Sequence, residues 1–125
     1  TAGDGIADEV VDALGGRSFV IADDHRAEYH AAACIAANHL VALLGQVERI
    51  GAAAGAPFEA YLSLVRGAVD NVAELGPAAA LTGPAARGDE LTIARHLAAI
   101  DPSERDAYRA MADQARRLVT TNGSN

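Results

Sequence analysis

A helical pattern of apolar residues runs from about Arg26 to Ala54 and stops at Gly55. At 1.5 Å per residue such a helix is roughly 40 Å long. A four-helix domain within 125 residues does not need that length. Surplus helix is commonly covered by a partner subunit, so a homodimer is expected. Along this segment His30, Cys34, Asn38 and Val41 follow one stripe, with Tyr29 beside it. Leu40, Leu43, Leu44, Val47 and Ile50 widen the apolar face in the second half. Half of the residues are hydrophobic, yet only three Tyr and two Phe are aromatic, so the core is built of Ala, Leu and Val. Ala-rich helices pack closely, which predicts a thin helical core.

Three further helices follow. One is predicted from about Pro57 to Leu75, with Tyr61, Leu62, Leu64, Val65, Ala68, Val69 and Val72 as its apolar set. Pro57 suits a first helical turn, and Gly76-Pro77 ends the pattern. The next spans Glu90 to Ala99, capped by Asp89 with help from Thr92, with Leu91, Ala94, Leu97 and Ala98 inward. In the last, Asp101 caps, Pro102 takes the first helical position and Glu104 stands where a capping box would place it. That helix is predicted to reach about Val119, and residues 120–125 form a polar tail expected to be disordered.

Ahead of the long helix, Ile6, Val10, Val11 and Leu14 have helical spacing, Gly15-Gly16 breaks the pattern, and residues 18–21 read as a strand. A lone strand cannot satisfy its own backbone. It is expected to be the edge of a sheet whose other strands lie outside this sequence. Helix, glycine turn and strand is how an α/β domain would end. The start at Thr1, without an initiating Met, fits a domain taken from a longer protein.

The net charge is −7 without a basic run, which argues against nucleic-acid binding. No uninterrupted apolar run reaches the roughly 20 residues of a membrane span, and residues 1–20 do not read as a signal peptide, so the cytoplasm is the expected location. All ten basic residues are Arg. A Schiff-base lysine, a phosphate-loop lysine and a lysine acid are thus excluded from this segment. The single cysteine, Cys34, reads as a small buried hydrophobe, and no His or Cys spacing suits a metal site.

The polar chemistry concentrates in Leu81-Thr82-Gly83-Pro84-Ala85-Ala86-Arg87-Gly88-Asp89. Two glycines and a proline fix the backbone there. They place a hydroxyl, a guanidinium and a carboxylate within eight residues. Arg87 is the candidate anion anchor, since its planar fork suits a carboxylate or phosphate; the alternative is a salt bridge to Asp89 or Glu90. His96 lies seven residues past Asp89, facing either the loop or solvent. His30 is either a proton donor or a core histidine held by a carbonyl. Asn38 and Asn71 interrupt apolar helices, and each binds either a ligand or a neighbouring helix.

Tyr29-His30, Asn38, Asn71 and the segment Leu81 to Asp89, with Thr92 and His96, resemble the family of domain of unknown function 2520. The resemblance spans roughly residues 23–118. It implies an all-α helical domain at residues 23–119 behind the end of a Rossmann-like nucleotide-binding domain at residues 1–22. It also implies kinship with 6-phosphogluconate dehydrogenase-like reductases, whose helical domains dimerise and close over a nicotinamide. In that setting NAD or NADP would be held mainly by the domain preceding this chain. His30 would be catalytic. Asn38, Asn71, Thr82, Gly83, Arg87, Asp89 and His96 would hold a small carbonyl substrate bearing a carboxylate or phosphate. Many of those reductases use a helical-domain lysine, which this chain lacks. The alternative reading is a non-enzymatic helical dimerisation or ligand-sensing domain.

Overall fold

The computed structural model describes the backbone of residues 9–14 and 17–123 and the side chains of residues 19–120. The chain divides into two compact units, Thr1–Gly45 and Gln46–Asn125.

In the first unit, strands β1 (Glu9–Leu14) and β2 (Arg17–Ile21) pair antiparallel. Val10 stands opposite Val20 and Val11 opposite Phe19, with an irregularity between Val11 and Leu14. This corrects the expected helix at 6–14 over its described part; residues 6–8 lie outside the described residues. Strand β2 needs backbone partners, and the β-branched Val10 and Val11 fit a pleated surface. A nine-residue helix is marginal alone, so pairing overrides the helical spacing. One partner of β2 is therefore β1, within this sequence.

A 3₁₀ turn, Asp23–His25, leads into α1 (Arg26–Cys34). A π turn, Ile35–His39, joins α1 to α2 (Leu40–Ala54), and there the Leu40 N–H donates to the Ile35 carbonyl five residues back. By length and mean hydropathy (1.3) the stretch Asp23–Ala54 could cross a membrane, a test that helices of soluble proteins also pass. Asn38, His39 and Gln46 interrupt it.

The second unit adds α3 (Phe58–Leu75), two single-turn helices α4 (Pro77–Ala80) and α5 (Pro84–Arg87), α6 (Glu90–Ala99), a 3₁₀ turn at Pro102–Glu104 and α7 (Arg105–Gly123). Helices α4 and α5 pack on α7, and α5 also meets α6. Pro57 occupies the N-cap of α3 with extended backbone, one position earlier than expected. Helix α7 continues to Gly123, past the expected end near Val119.

Glu104 does not close a capping box. Its carboxylate accepts from Arg49 Nε at 2.6 Å and Nη2 at 3.0 Å, and its carbonyl accepts from Gln46 Nε2 at 3.1 Å. Gln46 and Glu104 are both buried, so these bonds satisfy groups that water cannot reach. Arg105 Nε donates to the Leu97 carbonyl at 2.7 Å, and Arg116 bridges Glu90 on α6 and Asp113 on α7. Buried Gly51 lies under Tyr61: a Cβ there would stand 2.6 Å from the ring.

Among the described residues Ile93 is the one buried hydrophobic side chain, 5 % exposed. The inward set expected for α6 is corrected accordingly: Leu91 is 62 % exposed, Ala94 and Ala98 are also exposed, and Ile93 takes the core position. Cys34, expected to be buried, is exposed, as is Asn38. On α3, Leu64, Val72 and Leu75 are open to solvent, which leaves that helix with an uncovered apolar stripe.

Candidate functional site

Glycine backbone shapes the 81–89 loop. Gly83 has φ 95° and ψ −176°, a region essentially reserved for glycine, and Gly88 is left-handed at φ 66°. Between them Pro84 starts the single turn of α5, where its missing N–H costs nothing. The Arg87 N–H bonds back to the Gly83 carbonyl and the Asp89 N–H to the Pro84 carbonyl, which closes the loop on itself. No atom lies within 4 Å of a Cβ added at Gly83 or Gly88, so the requirement there is conformational, not steric.

Asp89 caps α6. Its Oδ1 accepts the Thr92 N–H at 3.1 Å and its Oδ2 the Thr92 hydroxyl at 2.7 Å. The Thr92 hydroxyl and N–H, with Arg87, hold the carboxyl below its ordinary range. Asp89 is therefore ionised and committed to the helix end. Arg87 reaches Asp89 only through one 3.5 Å contact, and its side chain is 61 % exposed. Most of its guanidinium donors face solvent. Thr82 is exposed and makes no side-chain hydrogen bond among the described residues. The loop therefore brings Thr82, Gly83, Arg87 and Asp89 together, with two of its polar side chains open to a ligand.

His96 does not turn to this loop. Its Nδ1 lies 2.8 Å from the Tyr108 hydroxyl, and the rings meet edge to face at 5.8 Å. Tyr108 was not among the sequence candidates. No motif marks a contact between residues twelve apart on two helices. Burial raises the Tyr108 pKa, partly offset by Arg116. Asn71 is exposed on α3 without a side-chain hydrogen bond among the described residues.

In the first unit, His30 is exposed in α1 with Tyr29 at a ring distance of 5.2 Å, and Phe19 of β2 packs on the other side of Tyr29 at 5.8 Å. Eight residues of regular α-helix would set Asn38 about 80° around the axis from His30. The π turn holds extra residues per turn and so rotates Asn38 back toward the His30 face. Such turns recur at functional sites. Among the described residues no cluster of His, Cys, Asp or Glu has the makings of a metal site.

Comparison with known proteins covers residues of both units. The family described as domain of unknown function 2520 (DUF2520) matches residues 1–115. The chain belongs to that family. Among solved structures, a Bacteroides fragilis protein described as a candidate NADP oxidoreductase matches with a TM-score of 0.68 and 28 % identity over 76 % of this chain. Protein TM1727 of Thermotoga maritima matches with a TM-score of 0.72 and 28 % identity over 83 %. The chain spans 38 % and 44 % of those two proteins. No curated protein matches. As a DUF2520 domain the chain carries its polar loop, its π turn and its His30 within the matched span.

Proposed function

We propose that this DUF2520 domain is the helical substrate-binding part of an NAD(P)-dependent oxidoreductase acting on a small carbonyl compound with a carboxylate or phosphate. The observation that carries the reading is the 28 % identity, over 76 % of the chain, to a protein described as a candidate NADP oxidoreductase. The glycine-framed loop supports it, because Arg87 presents a largely uncommitted guanidinium there. In this reading Arg87 anchors the acidic group and Thr82 adds a hydroxyl, while Asp89 fixes the loop on α6. Asn71 is a further hydrogen-bonding group of the second unit; in the first unit His30 is the candidate proton donor, with Asn38 turned toward its face. His96, held by Tyr108, is the second proton source. The cofactor is held mainly by sequence that these residues do not include.

The proposed enzyme works as a homodimer in the cytoplasm. The uncovered stripe Leu64, Val72 and Leu75 on α3 supports self-association, since apolar faces of this kind mark interaction sites.

The test is turnover. Full-length protein is mixed with reduced cofactor and a panel of small 2-keto and 3-keto acids, and loss of the reduced nicotinamide is followed. His30→Gln is expected to slow turnover by roughly 10²–10⁴-fold, the usual contribution of a general acid. The absence of lysine favours a second reading, a dimerisation or ligand-sensing domain without catalysis. Unchanged behaviour in both His30→Gln and Arg87→Ala would establish that reading instead.

A further inference from the structure

The last turns of α2 and α6 and the turn Pro102–Glu104 surround a cleft of about 470 Å³. Small-molecule sites have volumes of roughly 300–1,000 Å³ and mostly apolar walls with a few placed polar groups. Here Ile50, Ala53, Ala54, Ala99 and Ile100 form the walls, and Arg49, Asp101, Ser103 and Glu104 are the polar groups. The cleft opens at the C-terminal end of α6, whereas the Arg87 loop adjoins the N-terminal end. The ten residues of that helix separate them by roughly 15 Å. The cleft is therefore distinct from the Arg87 loop.

The charges lining the cleft are unequally paired. Arg49 and Glu104 neutralise each other through two parallel hydrogen bonds, and the Glu104 side chain is 9 % exposed. Arg49 holds the Glu104 carboxyl below its ordinary range, so the pair stays ionised and closed. Asp101 makes no ion pair among the described residues; Arg105 attracts it only at longer range. Its Oδ2 accepts the Ser103 N–H and hydroxyl, and its Oδ1 accepts no hydrogen bond among the described residues. Ala53, Ala54 and Ala99 end their helices, and their carbonyls lack intrahelical donors. Those ends also carry the negative pole of each helix dipole. One free carboxylate oxygen and several open carbonyls thus border an aliphatic pocket.

We propose that this cleft is a second ligand site, selective for a small primary ammonium ion with a short aliphatic body. The ammonium group donates to Asp101 Oδ1 and to the helix-end carbonyls, and the aliphatic body packs on Ile50, Ala53, Ala99 and Ile100. A carboxylate of the same shape meets like charge. An alcohol of the same shape loses the charge-assisted bond.

The experiment titrates full-length protein, labelled at isoleucine methyls, with isopentylammonium, isopentanol and isovalerate in turn. The ammonium ion is expected to shift the Ile50 and Ile100 signals saturably and to bind about tenfold more tightly than either competitor. Asp101→Asn keeps the turn capped, because Asn accepts the same bonds, and removes that preference. Failure of the ammonium ion to move either isoleucine, equal binding of the alcohol, or a preference that survives Asp101→Asn would each overturn the proposal.

Discussion

Single residues of the 81–89 loop divide into those that hold it and those that it offers. Gly83 belongs to the first group. Its φ of 95° with ψ −176° is open to glycine and strained for any other residue. Gly83→Ala is expected to destabilise the protein by roughly 1–3 kcal/mol, read from denaturant midpoints. An unchanged midpoint would show that the loop tolerates another path. Asp89 also holds the loop, and that role was legible in the sequence. A cap is decided by three or four adjacent residues, and Asp89 and Thr92 form one by themselves. The exposure of Cys34 and Asn38 was not legible. Burial depends on which elements pack on a helix, and residues 34–42 are all exposed, so the apolar stripe read there has no cover.

Ionisation gives a second prediction at the residue scale. Glu104, Asp89 and Asp101 have pKa values lowered chiefly by Arg49, by Thr92 and by Ser103 respectively. A carboxyl whose folded pKa is lower than its unfolded pKa stabilises the fold above the unfolded value. That stability disappears as pH falls through the folded value. The ordinary values are 3.8 for Asp and 4.5 for Glu. The melting temperature is therefore expected to be nearly flat from neutral pH to about 5 and to fall below it. Glu104→Gln should reduce the acid slope. A slope identical to wild type would remove Glu104 from this account.

Among elements, α6 is tied into the second unit along its length. It is capped at one end by Asp89, tied to α7 by Arg116 and Arg105, and buries Ile93. Ile93→Ala is expected to cost about 2–5 kcal/mol and Ile93→Val about 0.5–1.5 kcal/mol, measured by denaturation. Equal effects would mean that the site collapses around the missing atoms. The four main helices were readable because 3.6-residue periodicity and Gly/Pro punctuation are local signals. Burial was less readable. The pattern in α6 put Leu91 inward, whereas the folded chain buries Ile93. The first strand was misread for a related reason: Val10 and Val11 suit helix or strand, and their pairing with Val20 and Phe19 decides.

For the whole molecule, the uncovered apolar residues are the leading observation. Leu64 is 69 % exposed and Leu75 56 %, and both share a stripe of α3 with Val72. The paired substitution Leu64→Glu with Val72→Glu is expected to weaken self-association at least about tenfold, by sedimentation, with helix content retained. Unchanged association would take α3 out of any subunit interface. Solvent exposure is a property of the assembled structure, so the sequence could show an apolar set on α3 but not which part of it stays bare.

In the proposed function this domain completes an NAD(P)-dependent active site. Calorimetric titration of the full-length protein with NADPH and NADH tests it, repeated with small 2-keto and 3-keto acids and with Arg87→Ala. The account predicts cofactor binding, an added acid-dependent heat in wild type, and loss of that heat in Arg87→Ala without loss of cofactor. Absence of binding by either nucleotide would contradict it and leave a domain whose work is association or sensing.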